Sequence, residues 1–209
     1  MTMDLKDFDN LIKSKRKQLE TLMRRKMPVM VGRMAKDHFQ ENFRQSGFVN
    51  GGLHPWPKAK RLSSGGTDAA SNYGTLLSGR KHLFKSVGYT PADYRVRVFN
   101  EVVYAPIHNW GGEIDVTVTD RMRRFAWARF YKASGKRRKA GTGQKKRVKR
   151  RSNPKELNPQ AQFWRNMALT RKKKLHIRIP QRQFMGDSEE LNSRIREKVD
   201  QEITNILNE

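Results

Sequence analysis

Residues 188–207 read SEELNSRIREKVDQEITNIL. Leu191, Ile195, Val199, Ile203 and Leu207 recur every four residues, and Ile206 widens the stripe. That is the spacing of one helix face, and Glu, Arg and Lys fill the other. Asp187 stands where a cap is needed, with Glu190 three residues on, a capping-box spacing. The stretch predicts an amphipathic helix over 188–207 that must cover an apolar surface.

The surface it covers is sought upstream, in short alternating segments. Leu175 to Ile179 reads as a strand ended by Pro180. Ile114, Val116 and Val118 alternate, as do Tyr94, Val96 and Val98. Leu83 to Tyr89 and Val102 to Ile107 are further strands, the latter pairing with 94–99 through a turn at Asn100-Glu101. At the other end, Leu5, Phe8, Leu11 and Ile12 share a helix face, and Pro28 separates a first helix from a second. The second carries Met30, Met34 and His38 at a spacing of four and stops before Gly47. Trp56 is the one large apolar group in the Gly- and Pro-rich stretch 51–57 and is expected to fold that loop onto the core.

These elements give an α+β fold: a mainly antiparallel sheet of four to five short strands, flanked by N-terminal helices and the C-terminal amphipathic helix. A single domain over 1–209 is expected, with N-terminal helices at 4–45, sheet at 81–118 and 175–180, and the last helix at 188–207. Residues 119–174 read as a basic helical insertion. Thr119 or Asp120 caps a helix through Phe130, and Asn158-Pro159 opens another with Phe163, Trp164 and Met167.

The charge is uneven. The chain has 209 residues, 45 Lys and Arg, 20 Asp and Glu, and a net charge of +25. Lys132 to Arg151 alone holds 11 bases and no acid. This block is either a solvated loop or an arm that meets DNA, RNA or an acidic protein surface. Its candidate contacts are Lys136, Arg137, Arg138, Lys139, Lys145, Lys146, Arg147, Lys149, Arg150 and Arg151. The neighbouring Phe125, Trp127, Phe130, Tyr131, Phe163 and Trp164 suit packing or subunit contact better than base stacking, because they fall on helix faces.

Several chemistries find no support. Cysteine is absent, so disulfides and thiol chemistry are excluded. The histidines at 38, 54, 82, 108 and 176 share no metal-ligand spacing, and no cofactor motif is present. His38 reads as a structural histidine beside an apolar face, and His108 has no carboxylate placed in sequence to orient it. No glycine cluster fits a phosphate loop, so a protein without catalytic residues is expected. No apolar run approaches membrane-spanning length, and the first twenty residues alternate acids and bases. A cytosol-like compartment, or a particle built there, follows as the expectation.

Five segments, in order, resemble the phage virion morphogenesis family. They are His38-Phe39-Gln40-Glu41-Asn42-Phe43, Trp56-Pro57, Leu77-Ser78-Gly79 with Leu83 and Ser86, Tyr104 to Gly112 (YAPIHNWGG), and Ile179 to Gly186 (IPQRQFMG). Lys58 replaces a usual apolar residue, an extra residue precedes Leu83, and Gln183 stands where Pro is common. The resemblance implies a structural protein of a tailed phage or prophage that completes the tail or joins it to the head as a neck ring. It implies no catalytic residue. Trp56, Tyr104, His108, Trp110, Arg182 and Phe184 become the motif and interface candidates. The implied partners are further copies of the chain, other neck, tail or connector proteins, and DNA passing through the neck, with no membrane. The implied place is the virion, after assembly in the bacterial host cytoplasm. A basic nucleic-acid-binding protein and a tail terminator or other tail structural protein are the alternatives.

Overall fold

The computed structural model describes residues 4–59, 62, 72–135 and 158–208. The chain divides into two compact units: 1–112 with 179–209, and 113–178.

The first unit is built on a long helical run. Helix α1 (Leu5–Thr21) passes through a π-helical turn, Leu22–Lys26, into α2 (Met27–Gln45). The break expected at Pro28 does not occur. Proline lacks the N–H that would bond the carbonyl four residues back, that of Arg24. The Tyr94 N–H donates to that carbonyl instead, at 3.2 Å, so the helix continues with no orphaned acceptor. Ser46, left-handed at φ 53°, ends α2.

Two short ladders follow. Strands β1 (Gly47–Val49) and β2 (Leu53–Pro55) form one. A single-turn helix α3 (His82–Lys85) leads into β3 (Val87–Ala92), which pairs antiparallel with β4 (Arg95–Asn100), Val87 opposite Asn100 and Ala92 opposite Arg95. The hairpin therefore turns at Asp93-Tyr94, not at Asn100-Glu101. Asp93 is fixed by Arg24 at 2.7 Å, and Tyr94 takes the turn at φ 59°. At the expected turn, Asn100 does something else. Its amide donates to the Leu83 carbonyl at 2.8 Å, and its oxygen accepts the Val102 N–H at 3.1 Å. The chain beyond leaves the ladder, and the strand expected over 102–107 is instead helix α4 (Ala105–Trp110). Pro106 suits its first turn.

The core of this unit joins Ala35, Phe39 and Phe43 of α2 to Trp56, Leu83, Val87, Val102, Ala105, Phe184 and Leu191. Gly32 allows the close fit of β3 on α2, since a Cβ there would lie 2.3 Å from the Tyr89 ring. The last helix, α7 (Glu189–Asn208), covers the core as its stripe requires, but only Leu191 is buried and Leu207 is exposed. Its cap is Ser188, not Asp187: the Ser188 hydroxyl accepts the Leu191 N–H at 3.3 Å. Asp187 accepts from the Asn192 side chain instead, at 2.7 Å.

The second unit pairs β5 (Gly112–Thr117) with β6 (Lys174–Ile179) and packs α5 (Asp120–Ser134) against α6 (Pro159–Leu169). Thr119 and Asn158 cap the two helices, accepting from Met122 and Gln160 N–H groups. Ala126, Phe130, Ala161 and Ala168 form the buried seam, and three alanines let the helices lie close. His176 pairs with Asp115. The α+β class therefore holds, but the single four- to five-stranded sheet does not. Among the described residues the strands form three separate two-stranded antiparallel sheets. In chain order α3 comes between β2 and β3, and α4 between β4 and β5, so neither connection is a strand-to-strand turn.

Candidate interaction site

The segment Arg182-Gln183-Phe184-Met185 carries no regular structure, yet Phe184 is 1 % exposed. Buried backbone outside a helix or sheet must find side-chain partners. Two asparagines supply them. Asn109, at the end of α4, accepts the Phe184 and Met185 N–H groups at 2.9 and 3.0 Å and donates to the Met185 carbonyl at 3.1 Å. Asn42, on α2, donates to the Phe184 carbonyl at 3.2 Å and accepts the Val49 N–H at 3.3 Å. Each buried amide thus uses its donor and its acceptor.

The sequence candidates gather on this clasp. The Trp56 indole donates to the Gln183 carbonyl at 2.7 Å. The Arg182 N–H donates to the His108 carbonyl and its Nε to the Pro57 carbonyl, each at 2.8 Å. Phe43 meets Trp56 edge-on and lies against Phe184, with ring centres 5.6 and 5.0 Å away. Tyr104 stands edge-on to His108 at 5.9 Å, and its hydroxyl is 3.3 Å from His82 Nδ1. Gly111 closes the corner at φ 72°, with the Gln181 nitrogen 2.9 Å from where a Cβ would sit. Only glycine fits there.

Trp110 is the exception among the candidates. It is 65 % exposed and borders an apolar groove of about 470 Å³. Phe39, Val98, Pro106, Met185 and Leu191 line this groove. Val103 nearby in sequence is 96 % exposed. A second cavity of about 300 Å³ lies against Leu77, Tyr104, His108 and Arg182.

Two histidines have a buried nitrogen without a hydrogen-bond partner, His38 Nε2 and His108 Nδ1. Burial pushes both imidazoles below the ordinary histidine range; Arg194 adds to this at His38 and Arg182 at His108, while Glu190 opposes it at His38. Both rings are therefore neutral at pH 7. No group of three or more His, Asp or Glu among the described residues could hold a metal ion. No helix among them is long and apolar enough to cross a membrane.

Five of the six motif candidates thus build or brace one clasp, and the sixth rims a groove. The ten basic candidates from Lys136 to Arg151 lie outside the described residues. Asn42 and Asn109 lie within two of the family-like segments but are not among the site candidates that the sequence offers. A signal for the first existed: continuing the four-residue spacing of Met30, Met34 and His38 lands on Asn42, a polar residue on an apolar face.

The sequence model of the phage virion morphogenesis family matches residues 3–204. No curated protein and no solved structure matches the chain.

Proposed function

The chain belongs to the phage virion morphogenesis family, and so is a virion-associated morphogenesis protein; from that premise we propose that it is a non-enzymatic ring component that completes the tail or joins it to the head. The observation that supports this reading is the apolar groove beside Trp110, set on a clasp braced by two buried asparagines. A large exposed indole next to an apolar groove suits contact with another protein. If the groove meets a different face on the next copy, the contact is head-to-tail, and such contacts form a ring where the rotation between copies closes. Other neck, tail or connector proteins then meet the ring's faces, and the virion neck is its place after assembly in the host cytoplasm. Within this reading the clasp residues Trp56, Tyr104, His108, Arg182 and Phe184 shape the surface and Trp110 contacts the neighbour.

Light scattering on the purified chain at moderate and high salt tests the ring. A discrete oligomer that survives high salt is expected, and Trp110→Ala should dissociate it while leaving the helical circular dichroism unchanged. Withholding the protein during phage growth should leave filled heads and tails unjoined. Joined, infectious particles made without it would remove the reading.

A further inference from the structure

The charge of this chain follows the boundary between its two units. Residues 113–178 hold 22 of the 45 Lys and Arg but 4 of the 20 acids, a net of +18 in 66 residues. The remaining residues hold 23 bases and 16 acids, a net of +7. The first unit thus mixes signs, as a surface kept soluble does. The second does not, and it repels itself for lack of counter-charge.

The folded helices contribute to this excess apart from residues 136–157. Arg121, Arg124 and Lys132 are exposed on α5. Their spacing of three and eight residues puts them along one stripe. Arg165 is exposed on α6, and Lys172 and Lys173 are exposed just beyond it. Asp120 is the one acid on these two helices among the described residues.

We propose that this helical pair is a docking surface for the phosphate backbone of duplex DNA, without sequence preference. A duplex carries about one negative charge per 1.7 Å of its axis, a continuous line that a one-sign surface can follow. An acidic protein patch is smaller and mixed with other groups, and an interface for it is centred on apolar anchors with charges at the rim. The exposed rings here are not arranged to stack on bases. Phe125 has the Arg129 guanidinium over its face at 5.3 Å and Trp164 edge-on at 5.8 Å, and Trp164 in turn meets Phe163 edge-on at 5.1 Å. Rings already engaged with one another leave the backbone, not unstacked bases, as the partner. This assignment concerns the second unit alone and does not rest on the ring reading.

The test uses the full chain, fluorescence anisotropy and a labelled random-sequence 20-base-pair duplex across a salt series. The logarithm of the binding constant should fall linearly with the logarithm of salt, by about 0.9 for each phosphate engaged. Replacing Arg121, Arg124 and Lys132 together by Gln should lower that slope by about 2 to 3 and weaken binding at least tenfold at moderate salt. Replacing Arg33, Arg95 and Arg196 of the first unit by Gln should change neither. Residues 136–157 stay intact in both variants, so their charges cannot produce the difference. Equal effects of the two triple variants would overturn the proposal. So would tighter binding to the single strand of the same length, or displacement of the duplex by an equal charge of polyglutamate, which would point to an acidic protein.

Discussion

Asn109→Ala removes three hydrogen bonds from one buried turn. The Phe184 and Met185 N–H groups lose their acceptor and the Met185 carbonyl loses its donor. Each bond is worth about 1 kcal/mol net, so the loss is about 3 kcal/mol, and more where the freed N–H stays dry. The Phe184 N–H is such a case, since its residue is 1 % exposed. For a chain of this size 1 kcal/mol moves the melting midpoint by about 2–4 °C, so a fall of about 6–12 °C is expected. Urea unfolding followed by circular dichroism gives the free energy. Hydrogen exchange at the Phe184 amide gives the local one, and both should fall together if the clasp opens only with the unit. Asn205→Ala on the exposed face of α7 is the control, expected within about 0.5 kcal/mol of the parent. If Asn109→Ala costs no more than that control, the turn is not held by this side chain and the account of the clasp is wrong.

Three further outcomes follow from the same geometry. Because His38 and His108 have lowered folded-state affinities for protons, the unfolded chain takes up protons first; stability should be full above about pH 6.5 and fall as pH drops through and below that value. Replacing both by Gln should flatten an acid-side melting profile, and an unchanged slope would exclude them as its source. Gly111 and Gly135 share a positive φ, 72° and 65°, but a Cβ at Gly135 meets nothing within 4 Å. Gly135→Ala should cost about 1 kcal/mol and Gly111→Ala at least twice that, since backbone must move; equal costs in urea unfolding would mean the corner at Gln181 yields freely. Finally, the ends of the first unit approach each other where Gly111 meets Gln181. Replacing residues 113–178 by a short Gly-Ser link should leave that unit cooperatively folded, and an unfolded product would show that the insertion is needed to build it.

How far the sequence carried depended on where the deciding interaction sits. The last helix was legible because its evidence is local, a repeat of four from Leu191 to Leu207. The caps at Thr119 and Asn158 were legible for the same reason. The hairpin turn is hidden in the sequence because it holds Tyr94 at positive φ, where glycine or asparagine would signal it. The continuous helix through Pro28 was beyond local reasoning: the Arg24 carbonyl is satisfied by Tyr94, about seventy residues away. Val102 and Val103 favour a strand over 102–107, but Asn100, tied to Leu83, turns the chain aside before α4. The site split the same way. Motif order brings out Trp56, Arg182 and Phe184 and holds Asn42 and Asn109 in the same segments, but no spacing shows that the two asparagines reach Phe184.

The clasp around Phe184 also sets a timetable for synthesis. Its bonds join residues 142, 127 and 75 positions apart in the chain. Contacts so distant form late, after the intervening chain has been gathered in. On a ribosome they cannot form at all until residues 182–185 have emerged, although α2, β3 and β4 are exposed long before. The groove is lined by Phe184, Met185 and Leu191, so it too waits for that segment. A growing polypeptide therefore has no groove to offer a neighbour until those residues have emerged, however early α2, β3 and β4 are made.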